Sequence, residues 1–234
     1  LDAHGLTRNL ARDRSRVCYA LAKELEDIGE YDRGFDYLSE GARLRRESMQ
    51  YSPERDLEAM REIRRVYSAD VFQEGIAGHV NAEPVFVIGM PRTGTTLVER
   101  ILGGHSCVRS AGELQTFAAE LVRHCGATAN PPATSARELV AQTRDVDCVA
   151  LGESYVNKAR PPGDLTAHFI DKMPLNFLYA GLIHLALPKA RIVLLERDPM
   201  DTCYAVYKVL FEGVYPFSYD LEELANYFVE YKKL

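Results

Sequence analysis

Pro84-Val-Phe-Val-Ile-Gly-Met-Pro-Arg-Thr-Gly-Thr-Thr-Leu-Val-Glu-Arg-Ile-Leu-Gly-Gly-His105 is the stretch on which the fold turns. The β-branched, apolar run Val85 to Ile88 reads as a buried strand, broken at Gly89 by a turn. From Thr95 a helix follows, with Leu97, Val98, Ile101 and Leu102 expected on one face. A strand, a glycine-containing loop and a helix N-terminus in that order aim unpaired backbone N–H groups and the positive end of the helix dipole at one point. Such a point holds phosphate or sulfate, so the expected ligand is an anion.

The spacing narrows the chemistry. Gly89-x-x-x-x-Gly94 has the frame of a nucleotide-binding P-loop, but Thr95 stands where an NTPase places the lysine that reaches the β- and γ-phosphates. Arg92 supplies a forked cationic donor inside the loop, and Thr93, Thr95 and Thr96 add hydroxyls. The bland alternative is a plain glycine turn joining a core strand to a core helix.

Pro91-Arg-Thr-Gly-Thr-Thr-Leu97 resembles the loop with which sulfotransferases hold the 5′-phosphosulfate of 3′-phosphoadenosine 5′-phosphosulfate (PAPS). With Gly112-Glu113 downstream and helices upstream, the chain is most similar to bacterial sulfotransferases that carry tetratricopeptide repeats (TPR), and more distantly to tyrosylprotein sulfotransferases. The resemblance covers nearly the whole chain. It implies a P-loop-like, three-layer α/β domain with a central parallel sheet, preceded by a small all-helical, TPR-like region. It also implies that Pro91, Arg92, Thr93, Gly94, Thr95, Thr96 and Leu97 bind the donor.

Composition agrees with a soluble globular protein. The 234 residues are 47% hydrophobic, enough for one α/β domain and a small helical one. A formal net charge of -6 argues against nonspecific binding to nucleic acid or acidic membranes while leaving room for a local basic pocket. No apolar run approaches the ~20 residues of a membrane span, and no signal peptide is visible. Five scattered cysteines without metal-ligand spacing favour reduced thiols, a cytoplasmic setting and no zinc.

Upstream, residues 14 to 46 read as two helices around Gly29-Glu30-Tyr31, with Val17, Leu21, Leu25 and Ile28 striping the first and Phe35, Leu38 and Ala42 the second. The turn sits where a tetratricopeptide unit has its own, although Gly34 and Gly41 occupy positions where that repeat usually has alanine. Such a unit is either the last of an array, offering a surface to a protein partner, or a plain two-helix extension. A further helix is expected over 53 to 74, and the linker Gly75 to Glu83 divides a helical region (1–78) from the α/β domain (79–234). The charged amphipathic segment Asp220 to Leu234 carries no helix stop signal, which suggests a domain that continues further.

Downstream, a helix is expected from Ala111 to Cys125, and Glu113 near its start reads in two ways. Ser110-x-x-Glu113 fits a capping box. The resemblance instead makes Glu113 the general base. Asn130-Pro131-Pro132 marks a loop, and two helices follow between Ala136 and Arg160. His168 to Met173 reads as a short strand that puts Lys172 at its carboxyl end, the side on which open parallel sheets bind ligands. The resemblance assigns this lysine to the transferred group, alongside Arg92. Asp171 supports a rival view, a Walker B aspartate binding Mg²⁺. Ala190 to Arg197 is a further strand, followed by a helix that Asp198 caps and Pro199 opens. Arg197 resembles the arginine that grips the 3′-phosphate of PAPS, whereas the family's serine eight residues later is Ala205 here.

The function expected on these grounds is sulfuryl transfer from PAPS to a hydroxyl or amine of a small-molecule, carbohydrate or peptide acceptor, releasing 3′,5′-ADP without a metal. Catalysis would fall to Glu113, Lys172 and Arg92, and donor binding to residues 91–97 with Arg197. The rivals are a P-loop kinase or NTPase using Mg²⁺-nucleotide, and a helical scaffold whose transferase domain has decayed.

Overall fold

The computed structural model describes residues 3–128 and 135–234; the loop expected at Asn130-Pro131-Pro132 lies outside the described residues. The chain divides into two compact units. One comprises residues 1–57 with 198–232, and the other runs from Glu58 to Arg197 with the last two residues.

The second unit holds an all-parallel sheet of β1 (Pro84–Gly89), β2 (Val108–Ser110), β3 (His168–Asp171) and β4 (Arg191–Leu195), in the order β2-β3-β1-β4. Side chains alternate between the faces of a strand. On one face Val85, Val87 and Ile170 form a buried cluster, covered by Val98 and Leu102 of α4 (Thr95–Gly103). On the other, Phe86 stacks on Tyr155 of α7 (Cys148–Ala159) at 5.3 Å and meets Phe117 of α5 (Thr116–Thr128) edge-on at 6.3 Å. These three rings are fully buried, each contributing about 2 to 3 kcal/mol through its apolar area. Helix, sheet and helix form the three-layer α/β fold expected from the sequence.

The helix α3 (Pro53–Val66), which enters this unit at Glu58, is followed by a 3₁₀ turn over Ala69–Gln73, splitting the single helix expected there. The short α6 (Ala136–Gln142) is capped by Ser135 and precedes α7. After β3 the chain makes a 3₁₀ stretch, Pro174–Tyr179, and then α8 (Ala180–Ala186). The apolar face of α4 is narrower than its sequence suggests: Val98 and Leu102 pack against the sheet cluster, whereas Leu97 and Ile101 are exposed.

The other unit is built on the helical hairpin α1 (Ala3–Asp27) and α2 (Tyr31–Glu47). Its contact departs in part from the expected stripe. Leu25 is buried as expected, but Cys18 and Ala22 join it in place of Val17, Leu21 and Ile28, which face outward. Small residues explain the offset, since a Cβ added at Gly41 would lie 2.9 Å from the Cβ of Cys18. The helices cross too closely for even a methyl group, and the bulkier stripe cannot occupy the seam. To this hairpin the unit adds α9 (Pro199–Tyr207), a 3₁₀ turn (Pro216–Tyr219) and α10 (Leu221–Lys233). Arg46 holds Glu223 of α10 through two 2.8 Å hydrogen bonds, and Lys208 pairs with Glu26 at 2.6 Å.

Candidate active site

Every loop that follows a strand of a parallel sheet leaves at the same edge, and ligands bind there. In this sheet that edge collects Gly89–Gly94 after β1, Ala111–Gln115 after β2, Lys172 after β3 and Arg197 after β4. Because β1 lies between β3 and β4, its loop stands between the strand that carries Lys172 and the strand that precedes Arg197.

Backbone geometry sets the pitch of the β1 loop. A Cβ on Gly89 would lie 2.5 Å from the carbonyl oxygen of Leu195, so only glycine lets the ends of β1 and β4 approach this closely. Pro91 is buried under the loop. Arg92 holds φ 67, a left-handed conformation that costs a side-chain-bearing residue of order 1–3 kcal/mol. Thr93 donates its hydroxyl to the carbonyl oxygen of Met90 at 2.8 Å and so braces the turn from within. Gly94, at φ 102, is the N-cap of α4, and no side chain caps that helix. Its first amides are presented as an anion cradle would need them, with Thr95 buried and Thr96 exposed beside them. Leu97 stands on the outer side of the first turn, 64% exposed.

Downstream of β2 the capping expectation fails. Ala111 and Gly112 still pair along the edge of β3, the Ala111 N–H donating to Ile170 O and the Lys172 N–H to Gly112 O, each at 2.9 Å. Gly112 then turns at φ 78, and α5 starts only at Thr116. Pairing with a distant strand has overridden the local capping signal. Ser110 therefore caps nothing: its hydroxyl donates to a carboxylate oxygen of Glu99 and accepts from the Gly112 N–H at 3.1 Å. Glu113, released from that role, accepts a hydrogen bond from Lys172 Nζ.

The Glu113–Lys172 pair brings together two residues 59 positions apart in sequence. Their environments differ sharply, since the lysine side chain is 7% exposed and the carboxylate side chain 53%. A second carboxylate, Glu99 on α4, lies 3.9 Å from the same Nζ and is 11% exposed. Sequence reading missed Glu99. The available signal was its place in the helical pattern, four residues after Thr95 and next to the packed Val98, which sets it on the inner side of α4 one turn below the loop.

Asp171 does not fit a metal ligand beside this loop. In register with Phe86, it points to the aromatic face of the sheet, where it is fully buried and accepts from Tyr155 Oη at 2.9 Å and Asn176 Nδ2 at 3.2 Å. Burial raises its pKa to about 7, although the bonds from Tyr155, the Leu114 N–H and Asn176 pull it down. Among the described residues no three His, Cys, Asp or Glu side chains gather in a way that could hold a metal ion, and no helix is long and apolar enough to cross a membrane.

Beyond β4, which closes at Leu195, Arg197 is exposed. Asp198 caps α9 as expected, its carboxylate accepting from the N–H groups of Met200 and Asp201. Ala205 is a half-buried position of α9.

A parallel sheet whose central strand runs through a glycine loop into an uncapped helix belongs to the P-loop-like class. Residues 84–234 match the Sulfotransferase family, which is well over half of the chain, and the chain belongs to that family. Over 220 residues it is also 29% identical to an uncharacterized protein of Aquifex aeolicus (strain VF5). That match takes in 91% of this chain and 29% of the Aquifex protein, so the chain spans under a third of the length of this relative.

Proposed function

We propose that the chain transfers a sulfuryl group from PAPS to a hydroxyl or amine, releasing 3′,5′-ADP. The observation that carries this reading is the Glu113–Lys172 pair on the same sheet edge as the uncapped loop. The α/β domain responsible is proposed to begin near residue 79, just ahead of the family match.

In this reading the donor's 5′-phosphosulfate sits on the amides at the start of α4, with Arg92, Thr95 and Thr96 around it, and Arg197 takes the 3′-phosphate. Thr93 contributes through the shape of the loop. The acceptor, a small molecule, carbohydrate or peptide, gives its proton to the Glu113 carboxylate as its oxygen or nitrogen forms a bond to sulfur. The bond between sulfur and the bridging phosphate oxygen breaks, and its electron pair leaves with 3′,5′-ADP. Lys172 and Arg92 meet the charge that builds on the departing oxygen. Holding nucleophile and leaving group in line is most of the work, as in phosphoryl transfer. A sulfuryl group carries less negative charge than a γ-phosphoryl, so the reading requires no metal clamp.

Calorimetric titration tests it. 3′,5′-ADP should bind with equal affinity in the presence and absence of Mg²⁺, while ATP should not compete. Micromolar, Mg²⁺-dependent ATP binding that displaces 3′,5′-ADP would overturn the assignment.

A further inference from the structure

We infer that Glu99 is a positioning residue of this site, a fixed counter-charge that holds Lys172 in place while Glu113 is released to act as base. The inference rests on the sulfuryl-transfer reading and adds to it a third ionic member.

The resting arrangement poses a conflict. Lys172 Nζ is bonded to Glu113, so the ammonium proposed to serve the sulfuryl group and the carboxylate proposed to take the proton occupy each other. Neither can work until they part. Separation is costly for a lysine whose side chain is only 7% exposed unless a second anion is at hand, because a buried charge without a partner is strongly disfavoured.

Glu99 supplies that anion. Its carboxylate is buried, lies 3.9 Å from Nζ, and is anchored from the other side by the Ser110 hydroxyl. The distance is that of an ion pair at its limit, close enough for attraction and too long for a hydrogen bond. Lys172 is therefore bonded to the exposed carboxylate and merely attracted by the buried one. An incoming sulfuryl donor changes the balance, since its negative charge repels Glu113 and draws Lys172. Glu113 can swing into solvent, and Glu99, fixed on a helix and tied to β2, cannot. Glu99 thus keeps the ammonium neutralised throughout, and arrival of the donor frees the base.

Glu99→Gln removes the charge while keeping the size and the acceptor for Ser110. With only Glu113 left as partner, Lys172 should stay locked to it. The expected result is a kcat lower by about tenfold or more, with an unchanged melting temperature and 3′,5′-ADP binding as tight as before or tighter, since a negative charge near an anion site is gone. The same substitution in a Lys172→Met background should have no further effect on kcat, because Glu99 acts through the lysine. Full kcat in Glu99→Gln, or an equal fold-loss in both backgrounds, would overturn the inference. Should Glu99→Gln fail to fold, Ser110→Ala serves in its place; it loosens the carboxylate without removing it, and a kcat unchanged there would be equally fatal. A wild-type chain that neither binds 3′,5′-ADP nor consumes PAPS would instead sink the sulfuryl-transfer reading, and the inference with it.

Discussion

Two glutamate–lysine pairs of the sheet-bearing unit, Glu120–Lys158 and Glu113–Lys172, are built in opposite senses. In the pair between α5 and α7, Glu120 has a side chain 5% exposed and Lys158 one 53% exposed; in the pair at the sheet edge, Lys172 is the buried member at 7% and Glu113 the exposed one at 53%. Glu120 also accepts from Arg123 and Ser154, which leaves its carboxylate saturated. Burial pushes its pKa up, but the bonds from Lys158, Ser154 and Arg123 outweigh burial and hold it at about 2. The same two residue types therefore serve two ends. Where the carboxylate is fixed and the cation faces water, the pair joins two helices and can take no proton near neutrality. Where the cation is fixed and the carboxylate faces water, the carboxylate is free to leave and return.

The comparison breaks first at Glu113. Glu113→Gln should lower kcat by roughly 10²- to 10⁴-fold and leave the melting temperature and 3′,5′-ADP affinity unchanged. Full turnover in a sulfate-transfer assay would reassign the base. Glu120→Gln should do the reverse, costing about 1 to 3 kcal/mol of stability with turnover retained in the folded fraction. The pH dependence fixes its sign. A carboxylate depressed in the folded state stabilises fully above its unfolded pKa near 4.5, and that contribution fades as pH falls toward about 2. Thermal melts of wild type and Glu120→Gln should accordingly differ by a constant amount above about pH 5 and converge in acid; parallel curves down to pH 2 would refute the assignment.

Asp171 is a third carboxylate, buried without a cation, and it sharpens the contrast. Its pKa of about 7 lies above its unfolded value, so the native state is most favoured when the group is protonated and loses stability as pH rises from 4 through 7. Asp171→Asn should be neutral near pH 4 and more stable than wild type by about 1 to 2 kcal/mol at pH 8 in urea titrations. A deficit at pH 8 would mean that the ionised form is the one the fold requires.

Much of this was legible from sequence because its signals are local. The apolar run of β1, the glycines of the loop, and Asp198-Pro199 at the start of α9 each announce themselves within a few residues. The P-loop-like α/β class followed from the family resemblance that the loop residues carry. Glu99, by contrast, acquires its meaning from β2 and β3: helical spacing sets it on the inner side of α4, but no local pattern marks it as a counter-charge to Lys172. Glu113 shows the same limit from the other side. Its capping-box spacing was genuine, but Ala111 and Gly112 pair with Ile170 and Lys172, and no local pattern records a contact across that span. The shifted seam of α1 likewise depends on which residues of α2 are small.

The strand order has a consequence for biosynthesis. β1 is central, yet its first partner, β3, begins pairing at Phe169 opposite Pro84, and its second, β4, is later still. At ~5–20 residues per second the ribosome needs roughly 4 to 17 s to travel from one to the other. During that interval Val85 to Ile88, buried throughout in the folded sheet, has no strand to join. Contacts so distant in sequence also slow refolding from denaturant. The segment that shapes the anion loop is thus made early and secured late, and nascent chains arrested between β1 and β3 are the ones that chaperones should hold longest.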